Sequence, residues 1–166
     1  KLGSQPMNLS IESGAYNGTF ELGGLSLNNL TVQDGAANVE LAFSEPNLVE
    51  MSTFRYETGA SDVKMTGLAN ANFSLFDFSS GAGDYTLDFS GELQRDASVT
   101  VSSGLSNIIL VIPEGVNAVV TIDSGASNVS VGSEWSQSGD IYKQKGEGPT
   151  LTIVINIGAG NITLTK

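Results

Sequence analysis

The sequence predicts an all-β protein that folds as a parallel β-helix of about seven coils. Three observations support this prediction. A short phrase built around one glycine recurs along the chain, and apolar residues stand at fixed distances from that glycine. No segment shows the apolar period of a long amphipathic helix. The flanks of the glycine alternate between apolar and polar residues, which is typical of strands with one buried face.

The recurring phrase is present in seven copies, of which "SGASN" at residues 124–128 is representative. Successive glycines are separated by 21 to 24 residues, except for the last interval, which is 33 residues long. The regular intervals predict a repeat architecture, and the long one predicts an insertion. The seven glycines are Gly14, Gly35, Gly59, Gly81, Gly104, Gly125 and Gly158.

Apolar residues occupy the same offsets in nearly every copy, five and three residues before the glycine and four and six residues after it. In the first copy these positions hold Leu9, Ile11, Gly18 and Phe20, and Gly18 is the one exception among all copies. So short a unit is expected to bury its apolar face against the next copy in the chain, which predicts strands stacked about 4.8 Å apart. An up-and-down or sandwich all-β fold is the alternative, although it would not require fixed residue types at fixed offsets.

The phrase itself is predicted to be a structural corner. Its glycine is expected to supply a backbone angle that other residues tolerate badly. The residue three positions later is always Asn or Asp, which suits a bend because such side chains bond nearby backbone amides. Stacked copies can also bond one another as a ladder along the rod. These residues are Asn17, Asn38, Asp62, Asp84, Asn107, Asn128 and Asn161.

Composition limits the chemistry of the chain. Its 166 residues are predicted to form a single domain, 1–166, with an insertion at 132–149. There is no cysteine and no histidine, which excludes disulfides, thiolate metal sites and imidazole catalysis. The net charge of -11 disfavours nucleic acid and direct lipid binding. No cofactor is expected, and calcium near Asp84 is left open because "GAGDYTLD" only loosely resembles a calcium-binding β-roll repeat.

The insertion holds the candidate binding residues Trp135, Tyr142 and Lys143. An exposed Trp and Tyr there could stack on a sugar or a partner protein, since binding residues often lie on loops of a rigid scaffold. The other interpretation is that Trp135 and Ile141 fold back to cover the last coil, because the ends of a solenoid need capping.

Several stretches together resemble a bacterial family. The "GAGD" and "GAGN" corners, "LVIPEGVNAVVTIDSGASNVSV" at 110–131, and the insertion before "LTIVINIGAGNITL" are similar to the toast-rack family. That family is related to the C-terminal domains of cell-wall-active antibiotic response proteins and to predicted adhesins. The resemblance covers nearly the whole chain and implies a single-stranded right-handed β-helix at the cell envelope. It carries over no catalytic residue. The "SGLSN" corner departs from the pattern, with Leu105 in place of the usual alanine.

The function expected from the sequence is a non-enzymatic, extracytoplasmic interaction module, adhesin-like or stress-sensing, that contacts a protein or a cell-wall polymer. We expect the full-length protein to be membrane-attached. The alternatives are a carbohydrate-active β-helix enzyme, either a polysaccharide lyase or a glycosidase, and a purely structural spacer. A glycosidase would need two carboxylates about 5 to 10 Å apart, and outward acids such as Glu40, Asp62 and Asp84 are the residues available for such a pair.

Overall fold

The computed structural model describes residues 5–166, so residues 1–4 of the predicted domain lie outside the described part. Almost every regular element is a strand, as predicted. The exception is a single 3-10 turn at Leu68–Ala71. The strands are β1 (Met7–Glu21), β2 (Leu27–Ala42), β3 (Met51–Thr66), β4 (Phe73–Asp88), β5 (Ala97–Val111), β6 (Val116–Val131), β7 (Ser136–Ser138), β8 (Ile141–Gln144) and β9 (Glu147–Thr165).

The nine strands form one sheet in the order β1-β2-β3-β4-β5-β9-β6-β8-β7. All pairs between the long strands are parallel, with equivalent corner residues in register, as in Asn38 beside Asp62. The short strands β7 and β8 form an antiparallel hairpin, and β8 pairs with the outer edge of β6. This arrangement agrees with the predicted stack of repeats and not with a sandwich of antiparallel sheets.

The order of the repeats differs from the one that the sequence suggested. The expectation was that each copy stacks on the next in the chain, but the last long strand lies between the fifth and the sixth. Thr152 of β9, for example, has Ser98 of β5 on one side and Val119 of β6 on the other. The insertion gives the chain enough length to reverse direction along the stack, so β6 and the hairpin form one end of it.

The predicted apolar columns face the interior. On β2, β3, β4, β5 and β9 their members are buried. Incomplete burial is confined to the two end strands, where Leu9, Ile11 and Phe20 of β1 are half-buried and Val131 of β6 is 39% exposed. These positions lack a neighbouring repeat on one side, which is the physical reason for their exposure.

Aromatic rings stack along the columns in the middle of the core. The rings of Phe54 and Phe76 are stacked with centroids 4.4 Å apart, and Tyr56 stacks on Phe78 at 5.5 Å. Tyr85 meets Phe78 edge-on at 5.0 Å. Equivalent residues on parallel strands are therefore in direct contact, and each repeat is stabilised by burying its rings against the next.

The corner glycines are needed for close stacking and not, as expected, for an unusual backbone angle. The glycines with positive φ lie elsewhere, and Gly35 and Gly59 are not among them. A Cβ at Gly59 would lie 2.4 Å from the carbonyl oxygen of Gly35, and one at Gly158 would lie 2.6 Å from that of Gly104. Gly14 is different, since a Cβ there would meet nothing within 4 Å. Gly14 lies on the end strand, where no described repeat precedes it.

Candidate functional site

The hairpin β7–β8 covers part of the outer edge of β6. Residues 118–121 of β6 pair with β8, and the amide of Ile122 donates to the Asp140 carbonyl. Along β8 the exposure alternates, so that Tyr142 and Gln144 face the core while Lys143 and Lys145 face solvent. The insertion is thus an ordered cap on this end of the stack, and β9 begins within its last residues, at Glu147.

Two of the three candidate binding residues are buried. Trp135 is 8% exposed and Tyr142 is 6% exposed, and both belong to the main hydrophobic core. Their ring faces are therefore not offered to a ligand, contrary to the binding interpretation. Ile141, the other residue expected to cover the last coil, is instead 38% exposed. Of the candidate binding residues, only Lys143 lies on the surface.

A cavity of about 300 Å³ lies between this hairpin and the turn that precedes β6. Gln144 lies at its base, where its side-chain amide nitrogen donates to the carbonyl oxygens of Pro113, at 2.7 Å, and Val116, at 3.1 Å. Its Oε1 atom is buried and accepts no hydrogen bond from the described residues. The other lining residues are Glu114, Gly115, Glu134, Ser136, Lys143 and Lys145.

Charges of both signs meet at this cavity. Lys166 forms an ion pair with Glu114, which raises the pKa of the lysine and lowers the pKa of the carboxyl group. Together with Lys143 and Lys145, Lys166 brings to this end three of the seven lysines and arginines of a chain that carries a net charge of -11. Within residues 5–166, this cavity therefore gathers three cations beside its two lining carboxylates, Glu114 and Glu134, and it can attract an anionic group.

The predicted ladder of corner amides is present over half of the stack. The side-chain amide of Asn107 donates to Asp84 at 2.7 Å, and that of Asn161 donates to Asn107 at 2.7 Å. Asn128 completes the run with a bond to Asn161 at 3.3 Å. These residues are all exposed. Their hydrogen-bonding groups are used between repeats, as the corner interpretation predicts.

The outward acids are adjacent but form no metal site. Asp62 lies beside Asp84 in the register of β3 and β4, and Glu40 lies beside Lys64. Within residues 5–166 there is no group of three or more acidic side chains placed to hold a metal ion. The calcium hypothesis near Asp84 therefore gains no support from the side-chain geometry.

A buried polar cluster behind the corners of β2 and β3 was not foreseen. Asp34 is only 9% exposed, and its carboxylate accepts hydrogen bonds from the hydroxyl groups of Tyr56, at 2.7 Å, Ser61, at 3.1 Å, and Thr58. The Ser61 hydroxyl also accepts a bond from the Ala37 amide at 2.8 Å. Hydroxyl donors of this kind make the burial of a carboxylate tolerable. The sequence does hold a signal, since Asp34 stands where five of the other six copies have Ser or Thr.

Tyr56 of this cluster predicts a loss of stability at alkaline pH. Burial raises the pKa of the Tyr56 phenol far above its ordinary value of 10, and its hydrogen bond to Asp34 and the charge of that carboxylate raise the pKa further. The folded chain keeps the neutral phenol where the unfolded chain has lost the proton. Stability that is complete below pH 10 is therefore expected to fall above it, by up to about 1.4 kcal/mol per pH unit.

Urea unfolding at a series of alkaline pH values measures this effect, with Tyr56→Phe as the comparison. The variant lacks the ionisable group, so its free energy of unfolding should fall less steeply with pH than that of the wild type. Burial also raises the pKa of Tyr16 and of Tyr85, so a residual slope is expected in the variant. Equal slopes in the two proteins would contradict the assignment.

A shallow surface groove of about 430 Å³ lies along the outside of the corners of β4, β5, β9 and β6. Four of its eight lining residues are serines, and Ser80 donates a hydrogen bond to Ser103 at 2.9 Å. Asp123 is the one ionisable group in its lining. This shallow groove therefore offers hydroxyl groups but few charges to a ligand.

Comparison with known proteins supports the fold. The chain matches no family model and no curated protein sequence. Among solved structures, it is similar to the crystal structure of a putative cell adhesion protein from Clostridium sporogenes ATCC 15579. The TM-score is 0.69 at 14% sequence identity, and the match covers 93% of each chain. The similarity shows that the two proteins share a fold over nearly their whole length.

Within residues 5–166, no helix has the length and the apolar character needed to cross a membrane.

Proposed function

We propose that the chain is a non-enzymatic adhesin-like module that binds a protein or a cell-wall polymer at the cell surface, through the cavity at its hairpin end. In this proposal the stack is a right-handed, single-stranded β-helix of about seven coils, as the toast-rack resemblance implies. The shared fold with a protein described as a "putative cell adhesion protein" supports the adhesin-like part. The extracytoplasmic location, a membrane anchor in the full-length protein and the envelope partner belong to the same proposal.

The observation that carries the proposal is the collection of cations around one cavity of an acidic molecule. Lys143 and Lys145 extend from β8 beside the opening, and Lys166 lies next to them through its ion pair with Glu114. The buried Oε1 of Gln144 adds an acceptor without a partner. Such a site favours a ligand with an acidic group and a hydroxyl or amide donor, which are common in both glycans and peptides.

Retention on immobilised peptidoglycan fragments and on polygalacturonate tests this site. The variant Lys143→Glu/Lys145→Glu is expected to lose at least about tenfold in affinity for whichever probe the wild type retains, because each reversed charge replaces attraction by repulsion. Its stability should change by less than about 1 kcal/mol, since both side chains are exposed.

The matched control is Arg55→Glu/Lys64→Glu, which changes the net charge by the same amount on a different surface. It should bind like the wild type. Equal losses in both variants would show that binding follows net charge alone, and full retention by the hairpin variant would refute the site.

The enzymatic alternative makes a distinct prediction. If Asp62 and Asp84 act as a carboxylate pair, the wild type should release reducing ends or unsaturated products from these polymers, and Asp84→Asn should abolish the release. The proposed module instead binds without turnover, so product formation that depends on Asp84 would overturn it.

A further inference from the structure

The two ends of the stack differ in whether their edge strand is covered by further backbone. At the β6 end, the hairpin pairs with residues 118–121 of the edge strand. At the other end, β1 pairs only with β2, and within residues 5–166 no strand pairs with its outer edge. The 15 residues of β1 contain no lysine, arginine or proline, which are the residues that commonly guard exposed edges.

The end of the stack that β1 forms is also apolar. Met7, Leu9, Ile11, Tyr16 and Phe20 pack on the core but remain half-buried. Tyr16 stands in a column that is otherwise small, and its ring meets Phe20 edge-on at 6.2 Å over the space that Gly18 leaves free. The rings of Tyr16 and Phe20 thus cover this end of the core, which still offers half-buried apolar side chains and a row of backbone groups.

We propose that β1 pairs with β1 of a second copy of this chain, antiparallel and about a twofold axis through the corner. The pattern of β1 fits such a pairing. Its core-facing residues are Leu9, Ile11 and Ser13 before the corner and Tyr16, Gly18 and Phe20 after it, as the burial of the equivalent positions on β2 and β3 shows.

Only one register centres the pairing on the corner and keeps core-facing residues opposite core-facing residues. In it, the numbers of opposed residues sum to 29. Leu9 then faces Phe20 of the second copy, and the bulky Ile11 faces Gly18. A shift by one residue would oppose core-facing and outward side chains.

Charges fit the same register. Glu12 and Glu21 are the charged residues of β1. With residue numbers summing to 29, Glu12 faces Asn17 and Glu21 faces Asn8, so that each carboxylate meets an amide and no like charges are opposed. The side-chain amide of Asn8 is also available, since only its oxygen is used, as an acceptor for Asn29 at 2.9 Å.

Head-to-tail pairing of β1 with β6 fits less well. β8 already occupies the outer edge of β6 at residues 118–121. In a head-to-tail pairing, these residues would face residues 7–10 of a second copy. The twofold arrangement instead joins two edges that no strand of residues 5–166 covers, and it forms a closed dimer. It places the two hairpin cavities at opposite ends of the dimer, so that a polymer carrying several ligands could be held at two points.

The absence of cysteine allows a direct test by disulfide cross-linking. Ser10 and Thr19 are exposed and would face each other across the twofold axis. A mixture of the single variants Ser10→Cys and Thr19→Cys should form a disulfide-linked dimer on mild oxidation, at least about fivefold more than either variant alone, because opposed residues lie within disulfide reach.

A mixture of Thr19→Cys and Ser130→Cys reports on head-to-tail pairing, in which these residues would be neighbours. Light scattering of the wild-type chain should give twice the mass of one chain at high concentration. The dimer fraction should rise with salt, because both copies are acidic. A single-chain mass at every concentration and salt, or preferential linkage of Thr19→Cys to Ser130→Cys, would overturn the proposal.

Discussion

Trp135→Ala is expected to lower the free energy of unfolding by about 3–5 kcal/mol, the cost of removing a large buried aromatic side chain. Trp135 is 8% exposed and belongs to the core cluster that closes the β6 end. Loss of the ring would expose the apolar interior of the repeat that contains β6. For a chain of this length, the melting temperature should fall by roughly 10 °C.

The matched control is Ile141→Ala on the same hairpin, where the side chain is 38% exposed. This variant should lose less than about 1 kcal/mol. Differential scanning calorimetry of both variants, together with the binding assay, separates a cap from a site. Loss of ligand binding by Trp135→Ala with an unchanged melting temperature would contradict the capping role.

Gly59→Ala is expected to destabilise the fold by about 3 kcal/mol, at the upper end of the usual cost of overpacking. The added Cβ would lie 2.4 Å from the carbonyl oxygen of Gly35. Backbone atoms on both sides are held in the parallel ladder of β2 and β3, so neither strand can move away without breaking hydrogen bonds. Urea unfolding measures the change directly.

Gly14→Ala is the matched control, because it makes the same chemical change in the same corner on an end strand. A Cβ there meets nothing within 4 Å. Its stability should stay within about 0.5 kcal/mol of the wild type, or rise slightly through the lower entropy of the unfolded chain. If both variants lost the same stability, the glycines would be needed for their own backbone conformation and not for contact between repeats.

The repeat could be predicted from the sequence because burial and stacking constrain every copy in the same way. The apolar columns and the ladder of corner amides follow from that constraint, and the structure shows the columns in every long strand and the ladder over half of the stack. Asp34 could be recognised as a departure from its column, but its hydroxyl partners could not, since Tyr56, Thr58 and Ser61 meet it only when strands are in register.

The position of β9 could not be predicted for the opposite reason. All repeats carry equivalent apolar columns, so Ile153 and Ile155 pack as well beside β5 as they would beyond β6. The burial of Trp135 was equally undetermined, because a tryptophan in an insertion suits a cap and a binding surface alike. That ambiguity is resolved only by knowing that the insertion folds onto the end of the stack.

The placement of β9 between β5 and β6 puts the hairpin and its cavity at one end of the stack. The proposed binding site and the proposed dimer both depend on this strand order. Disulfide formation in two double-cysteine variants tests it most directly. Ser98→Cys/Thr152→Cys joins neighbouring strands and should oxidise readily within one chain. Ser98→Cys/Val119→Cys places the thiols two strands apart, about 9.6 Å, and should remain reduced. Rapid oxidation of the second variant but not the first would show that the repeats stack in chain order, and it would contradict the placement of β9 between β5 and β6.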